Sequence, residues 1–201
     1  MSVLDSEIWN KKIVVPRLTL ERRDSRHADF LINLWHDTDF LNHYNRLLAY
    51  ESDVDKLSAQ LQRERHRPIQ ESRSCHWTII KEAQPVGIVS LVDISELHKR
   101  AEFLIGVAPG SPPMIAVTAT LMCFQFFFKA IKFEKLFSFV YPDNVRSIKS
   151  TLSLGFRQEA VLVGHIVDPK TGERHDLIQT GLLKCEAFNS RNLRLMKRLL
   201  S

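Results

Sequence analysis

Tyr141-Pro142-Asp143-Asn144-Val145-Arg146-Ser147-Ile148-Lys149-Ser150-Thr151-Leu152-Ser153-Leu154-Gly155-Phe156 writes a turn, a capped helix and a helix stop into sixteen residues. Pro142 keeps Tyr141 extended, and Asp143 or Asn144 can accept a backbone N–H as the helix cap. Gly155 can take the left-handed conformation that ends the helix, with Phe156 packing back behind it. Between the caps, Val145, Ile148 and Leu152 fall on one face. Asn144, Ser147 and Thr151 lie along a different, polar face that a purely structural helix does not need. The plain alternative is a surface helix with ordinary caps.

Outward from this segment the pattern alternates between the two periods. Leu136 to Tyr141 reads as a strand entering the helix, and Ala160 to Val167 and Asp176 to Leu183 as two strands joined by the turn Asp168-Pro169-Lys170-Thr171-Gly172. Upstream, Met114, Val117, Leu121, Phe124, Phe128 and Ile131 form an apolar helical stripe, with Pro113 suited to its first position. Before that, Ala101 to Val107 is a strand broken by Pro109-Gly110-Ser111-Pro112-Pro113. His76 to Ile80 and Val86 to Val92 read as a hairpin around Glu82 to Pro85. Ile13 to Arg22 reads as a first strand. Asp24 or Ser25 caps a helix bearing Ala28, Leu31, Ile32 and Trp35, and Asp53 starts another bearing Leu57 and Leu61, while Arg63 to Ser74 reads as a helix end and a loop. No repeat or linker divides the chain, so residues 1–201 form one α/β or α+β domain around a sheet of mixed strand direction.

Composition narrows the function. With 201 residues, 44% of them hydrophobic, the chain can bury a full core. The net charge of +5 suits an anionic ligand such as a nucleotide, but acidic residues are interleaved with the basic ones and no nucleic-acid stripe forms. A basic amphipathic tail, about 186–201, carries Arg191, Arg194, Lys197 and Arg198 among leucines, and is expected to dock on the domain or on a second subunit of a homodimer rather than on a membrane. Cys75, Cys123 and Cys185 are odd in number and far apart, and no histidine has metal-ligand spacing, so a reduced, cytoplasmic, metal-free protein is expected. The N-terminus has acidic residues where a signal peptide would be basic. The apolar part of Gly106 to Phe128, about 14 residues, falls short of the ~20 a membrane helix needs and is expected to be a buried helix.

The order of elements and several local groups resemble the GNAT superfamily of N-acetyltransferases, in its ribosomal-protein-alanine and aminoglycoside-type branch. The residues that carry the likeness are Pro16-Arg17-Leu18-Thr19-Leu20, Trp77-Thr78-Ile79 with Val86-Gly87-Ile88, Ala101-Glu102, then Asn144, Ser147, Gly155 and Phe156, and finally His175-Asp176 with Gly181-Leu182-Leu183. The resemblance implies a central, mostly antiparallel sheet flanked by helices, with a splayed parallel pair, Ala101–Val107 and Leu136–Tyr141, that admits acetyl-CoA or another acyl-CoA. It implies transfer of the acyl group to an amine of a small molecule or protein, with Glu102 as general base. The alternative for Glu102 is a carboxylate paired with Lys99 or Arg100.

By the same resemblance, Ser147 is near the coenzyme sulfur, and Thr151 occupies a position where relatives carry a tyrosine acid, so Ser147, Thr151 or a water must return the proton. Backbone groups of Ile105 and Val107 would hold the thioester, Asn144 the coenzyme arm, and the N–H groups of Met114, Ile115 and Ala116 a phosphate. His165 is a second candidate base, and His36 and His43 sit on the expected acceptor wall. The turn at 109–113 departs from the family: one glycine remains, the basic residue is missing, and three prolines cannot donate. Losing two charge-assisted bonds costs on the order of 3–6 kcal/mol. The alternative function is therefore a catalytically inactive GNAT-fold protein kept for binding or assembly.

Overall fold

The computed structural model describes residues 2–5 and 7–201. In chain order its elements are β1 (Ile13–Val15), β2 (Leu18–Arg22), α1 (Ala28–His36), α2 (Thr38–Tyr44), α3 (Val54–His66), α4 (Ile69–Ser72), β3 (Cys75–Lys81), β4 (Gln84–Ser95), β5 (Arg100–Val107) and α5 (Pro113–Phe124). They continue with β6 (Lys135–Val140), α6 (Val145–Ser153), β7 (Arg157–Val167), β8 (Arg174–Leu183), α7 (Lys184–Ala187) and α8 (Ser190–Leu199). The strands form one eight-stranded sheet in the order β1-β2-β3-β4-β5-β6-β8-β7. Every pairing is antiparallel except β5 with β6.

Alternation along the strands gives the sheet two buried faces. Leu20, Ile79, Trp77, Val89, Leu91 and Phe103 pack with α5 on one side. Ile88 meets Leu31, Trp35, Phe40, Leu57 and Leu61 of α1, α2 and α3 on the other. Because α5 is apolar almost all round, it needs cover on both flanks, and it touches both the sheet and α8. Its helix continues through a π-helical turn over Gln125–Ala130, closed by Ile131 N–H donating to Phe126 C=O at 2.9 Å. The turn lets three consecutive phenylalanines reach partners: Phe126 lies edge-on to Trp9 and Trp77, Phe127 to Phe133, and Phe128 to Phe188. The whole helix, Pro113–Ala130, is 18 residues long with a mean hydropathy of 1.4, so it exceeds the expected 14 and by length and composition alone would suit a bilayer; 61% of it is buried inside the protein.

The opening segment keeps its caps. Asn144 Oδ1 accepts the Ser147 N–H at 3.0 Å. Gly155 has φ +101°, where a Cβ would come within 3.1 Å of Asn189 Nδ2 and 3.3 Å of Glu186 C=O. Phe156 is buried between Phe103 and Phe124. Asp24 and Asp53 cap as read, Asp24 through a short 3-10 turn ahead of α1. Three readings change. Ile13–Arg22 is a hairpin, since Val15 pairs with Leu18 across Pro16 and Arg17. Arg63–Ser74 is helical over most of its length, with α3 running to His66 and α4 following. The apolar face of α6 is not buried: Val145 and Leu152 are exposed and no residue of the helix is fully covered.

At the sheet border, β7 pairs only with β8, and its register shifts twice, between Gln158 and Ala160 and between Leu162 and Ile166. Gly164 sits in the second irregularity with φ +55°, its N–H held by Asp176 Oδ1 at 2.7 Å. Val161, Val163 and Val167 are exposed. The C-terminal tail docks on its own domain. Asn192, completely buried, donates from Nδ2 to Leu154 C=O at 2.8 Å and to Ala187 C=O at 3.0 Å. Asn192→Ala leaves those carbonyls without a donor and is expected to lower stability by about 1–3 kcal/mol, read as a shift in the urea midpoint at unchanged slope.

Candidate active site

The site is built around a fork. β5 and β6 pair through only three positions, Arg100 with Lys135, Ala101 with Leu136 and Glu102 with Phe137. Beyond these, β5 follows β4 to the Val107–Gly87 pair, while β6 follows β8 to Val140–Ile178. A wedge opens between Phe103–Val107 and Ser138–Val140, whose facing backbone groups have no ladder to satisfy them.

Glu102 stands at the apex, beside Val92 on β4 and Phe137 on β6. It makes no ion pair or hydrogen bond with a described residue. The expected alternative partner, Arg100, instead holds Asp93 at 2.9 Å and lies over the Phe137 ring at 4.9 Å. Arg73 holds the same aspartate at 3.1 Å. Burial, and secondarily the negative charge of Asp93, push the Glu102 carboxyl up to about 7.

One wall of the wedge is covered by α2. A Cβ on Gly106 would come within 2.7 Å of the Phe40 ring and 2.9 Å of Tyr44, so glycine is what lets these stacked rings lie directly on β5. Tyr44 lies near Ser90 on β4, and burial raises the pKa of its hydroxyl. Ser90 Oγ also pairs with His76 Nδ1 at 2.8 Å. Past α2 the chain crosses to the turn before α6. Arg46 stacks its guanidinium 4.2 Å from the Tyr141 ring centre and pairs it with the Asp143 carboxylate, while its backbone N–H donates to the Tyr141 hydroxyl at 3.3 Å. Asn144 Nδ2 donates to His43 C=O at 3.1 Å. This clamp was not legible in the sequence, because its members lie about a hundred residues apart in the chain.

The other candidates are dispersed around this centre. Ile105 and Val107 lie on the open part of β5 with side chains turned to the α5 core. Asn144 is buried and spends its amide on the cap and on His43. Ser147 and Thr151, one turn apart on α6, are half-buried, and neither hydroxyl has a hydrogen-bond partner among the described residues. Of the three donors expected to meet a phosphate, the Ile115 N–H is turned back to Pro112 C=O at 3.0 Å, and Met114 and Ala116 stand on either side. Gly110 has φ +79° and open space around it. His165 is exposed beside Phe139, 5.9 Å between ring centres, and His36 is exposed against Tyr50. His43 is exposed, with Nδ1 held at Asp39 C=O. No group of three or more potential metal ligands occurs among the described residues.

A family model of the acetyltransferase (GNAT) domain matches residues 17–157, a span that takes in the fork, Glu102 and α6. The chain belongs to the GNAT acetyltransferase family. Spermidine N(1)-acetyltransferase of Escherichia coli (strain K12) is 30% identical over 83 residues, which are 41% of this chain and 45% of that protein. The chain thus matches less than half the length of its curated relatives. Among solved structures, spermidine N-acetyltransferase from Vibrio cholerae in complex with CoA and spermine superposes with a TM-score of 0.74 at 22% identity, covering 86% of this chain and 99% of that one. The spermidine/spermine N-acetyltransferase of Vibrio cholerae in complex with manganese ions gives 0.68 at 21%, over 86% and 96%. At such identities the likeness is one of fold, and it extends the GNAT architecture over most of the chain.

The environment of Glu102 can be read directly by carboxyl NMR. Its titration is expected near pH 7, and Asp93→Asn, which removes the like charge and releases Arg100, is expected to move it down. Because the folded-state pKa lies above the unfolded one, the stability that protonated Glu102 contributes is complete below the unfolded value, about 4.3, and is lost as pH rises through about 7. Glu102→Gln should flatten the stability profile over that window.

Proposed function

We propose that this chain is an acyl-CoA-dependent N-acetyltransferase that transfers an acetyl group to a primary amine, with Glu102 as its general base. The observation that carries the reading is a half-buried, unpaired carboxyl at the apex of the parallel fork, poised near 7. Acyl-CoA supplies an activated carbonyl, which backbone groups of Ile105 and Val107 on the open wall would hold. Glu102, directly or through a water, takes the proton from the substrate ammonium. The amine nitrogen then bonds to the carbonyl carbon as the carbon–sulfur bond breaks, and the second proton, shed by that nitrogen, passes through Ser147, Thr151 or a water beside them to the departing thiolate. The free hydroxyls of α6 support that assignment, since they are not consumed by structure. Asn144 would border the coenzyme arm while serving as the cap.

Spermidine, named for the relatives, makes polyamines the first acceptors to test, ahead of other small amines and protein amines. A cytoplasmic setting fits a reaction supplied by acyl-CoA and a chain whose three cysteines are free. The turn at 109–113 favours the second reading, a GNAT-fold protein that binds without catalysis: Pro109, Pro112 and Pro113 offer no donor and Ile115 has spent its own, leaving Gly110, Met114 and Ala116 toward a phosphate.

Calorimetry with acetyl-CoA separates the two. Saturable binding is expected, and silence at millimolar ligand would sink the enzyme reading. Glu102→Gln should lower kcat by about 10²–10⁴-fold with coenzyme affinity unchanged; full activity would remove Glu102 from the base role. In the unaltered protein kcat/KM should rise with pH through about 7, as the carboxyl ionises.

A further inference from the structure

A second concentration of function-bearing groups lies away from the fork, where β2 ends and β3 begins. A cavity of about 150 Å³ is lined there by Arg22, Arg23, Arg65, Arg67 and His76, with Glu64 as the single carboxylate of its wall. Three of the arginines have counter-charges: Arg23 holds Glu64 at 2.8 Å, Arg65 holds Asp24 at 2.6 Å, and Arg67 reaches Glu71 at 3.8 Å. Arg22 has none. It is 6% exposed, makes no ion pair with a described residue, and its one hydrogen bond goes to the Cys75 thiol. That thiol is no counter-anion, because burial pushes it up to about 12 and it stays neutral. Arg23 adds a buried Nε with no partner. His76 is held neutral by burial and by the neighbouring arginines, so it does not add to the positive charge.

A guanidinium cannot shed its proton, so burial does not neutralise it as it would a lysine or a histidine. A buried charge without a partner is a costly arrangement that a bound anion relieves. We propose that this cavity is an oxyanion site that takes a phosphate-type dianion, either inorganic phosphate or the terminal phosphate of a small monoester. Forked guanidinium donors match the oxygens of such a group. At about 30 Å³ per water, the space equals roughly five waters, enough for a phosphate with some solvent and too little for a nucleotide. The site stands apart from the fork, so it does not depend on the proposed acetyl transfer.

Thermal unfolding and calorimetry of the whole chain, titrated with sodium phosphate against sodium chloride at matched ionic strength, test it. Phosphate is expected to raise Tm and to bind saturably. Arg67→Gln should raise Kd by about tenfold or more, the loss of one charge-assisted bond. Arg22→Met should abolish the phosphate effect and raise Tm in phosphate-free buffer, since an apolar stem replaces an unpaired charge. Should Arg22→Met fail to fold, Arg67→Gln decides alone, as the Arg67 side chain is 59% exposed. No phosphate effect beyond that of chloride overturns the proposal, as does a full effect retained in Arg67→Gln, the outcome if phosphate bound at the 109–113 turn. Glycerol phosphate in place of inorganic phosphate distinguishes the sources: Arg67-dependent binding of the ester assigns a monoester, and Arg67-dependent binding of the inorganic ion alone assigns free phosphate.

Discussion

Three residue pairs hold β5 against β6, and the rest of the molecule is arranged by where that parallel contact stops. Ala101 and Leu136, fully buried, lock the junction into the α5 core. On the opposite face the same three steps put Glu102 and Phe137 at the mouth of the gap. Each strand then keeps faith with its outer antiparallel neighbour, so the sheet stays continuous at its flanks and parts in the middle. Backbone groups left without a ladder are normally a defect. Here they line the wedge, which is where the proposed reaction puts its coenzyme.

The charges near the apex are sorted by competition. Arg100 is the basic residue nearest Glu102 in sequence, yet it is drawn to Asp93 and the Phe137 ring. That choice leaves one carboxyl paired and the other unpaired; burial raises the pKa of the unpaired one, and the charge of Asp93 adds to it. Asp93 reaches this position through an irregularity between Val92 and Ser95 in β4, with φ 45°. On the other side of the gap, Arg46 joins the end of α2 to the turn ahead of α6 through a ring, a hydroxyl and a carboxylate. The end of α2 and the start of α6 therefore share one anchoring point.

What could be read from the sequence follows the range of the interactions. Caps at Asp24, Asp53, Asn144 and Gly155 were legible because each is satisfied within a few residues. The spacing of Trp77 and Ile79, and of Val89 and Leu91, was legible because every second residue of a strand faces the same side. The split at Pro16 was not, since the three residues of β1 are too few to show a period of their own. Nor was the exposure of Val145 and Leu152, because spacing reveals a face but not whether anything covers it. At the candidate site, Glu102 was singled out through family likeness, while its surroundings were not. Asp93, Tyr44 and Arg46 act through contacts that only the folded chain creates.

The irregular border strand has a consequence for the chain's life in a crowded solution. An open sheet ends somewhere, and its last strand offers unpaired N–H and C=O groups to any extended peptide nearby. β7 adds exposed Val161, Val163 and Val167 to that offer. Its two register shifts and the left-handed Gly164 interrupt the straight run a newcomer would need. An incoming strand can match only a few residues before it meets a kink, so the sheet closes at eight strands by shape rather than by cover.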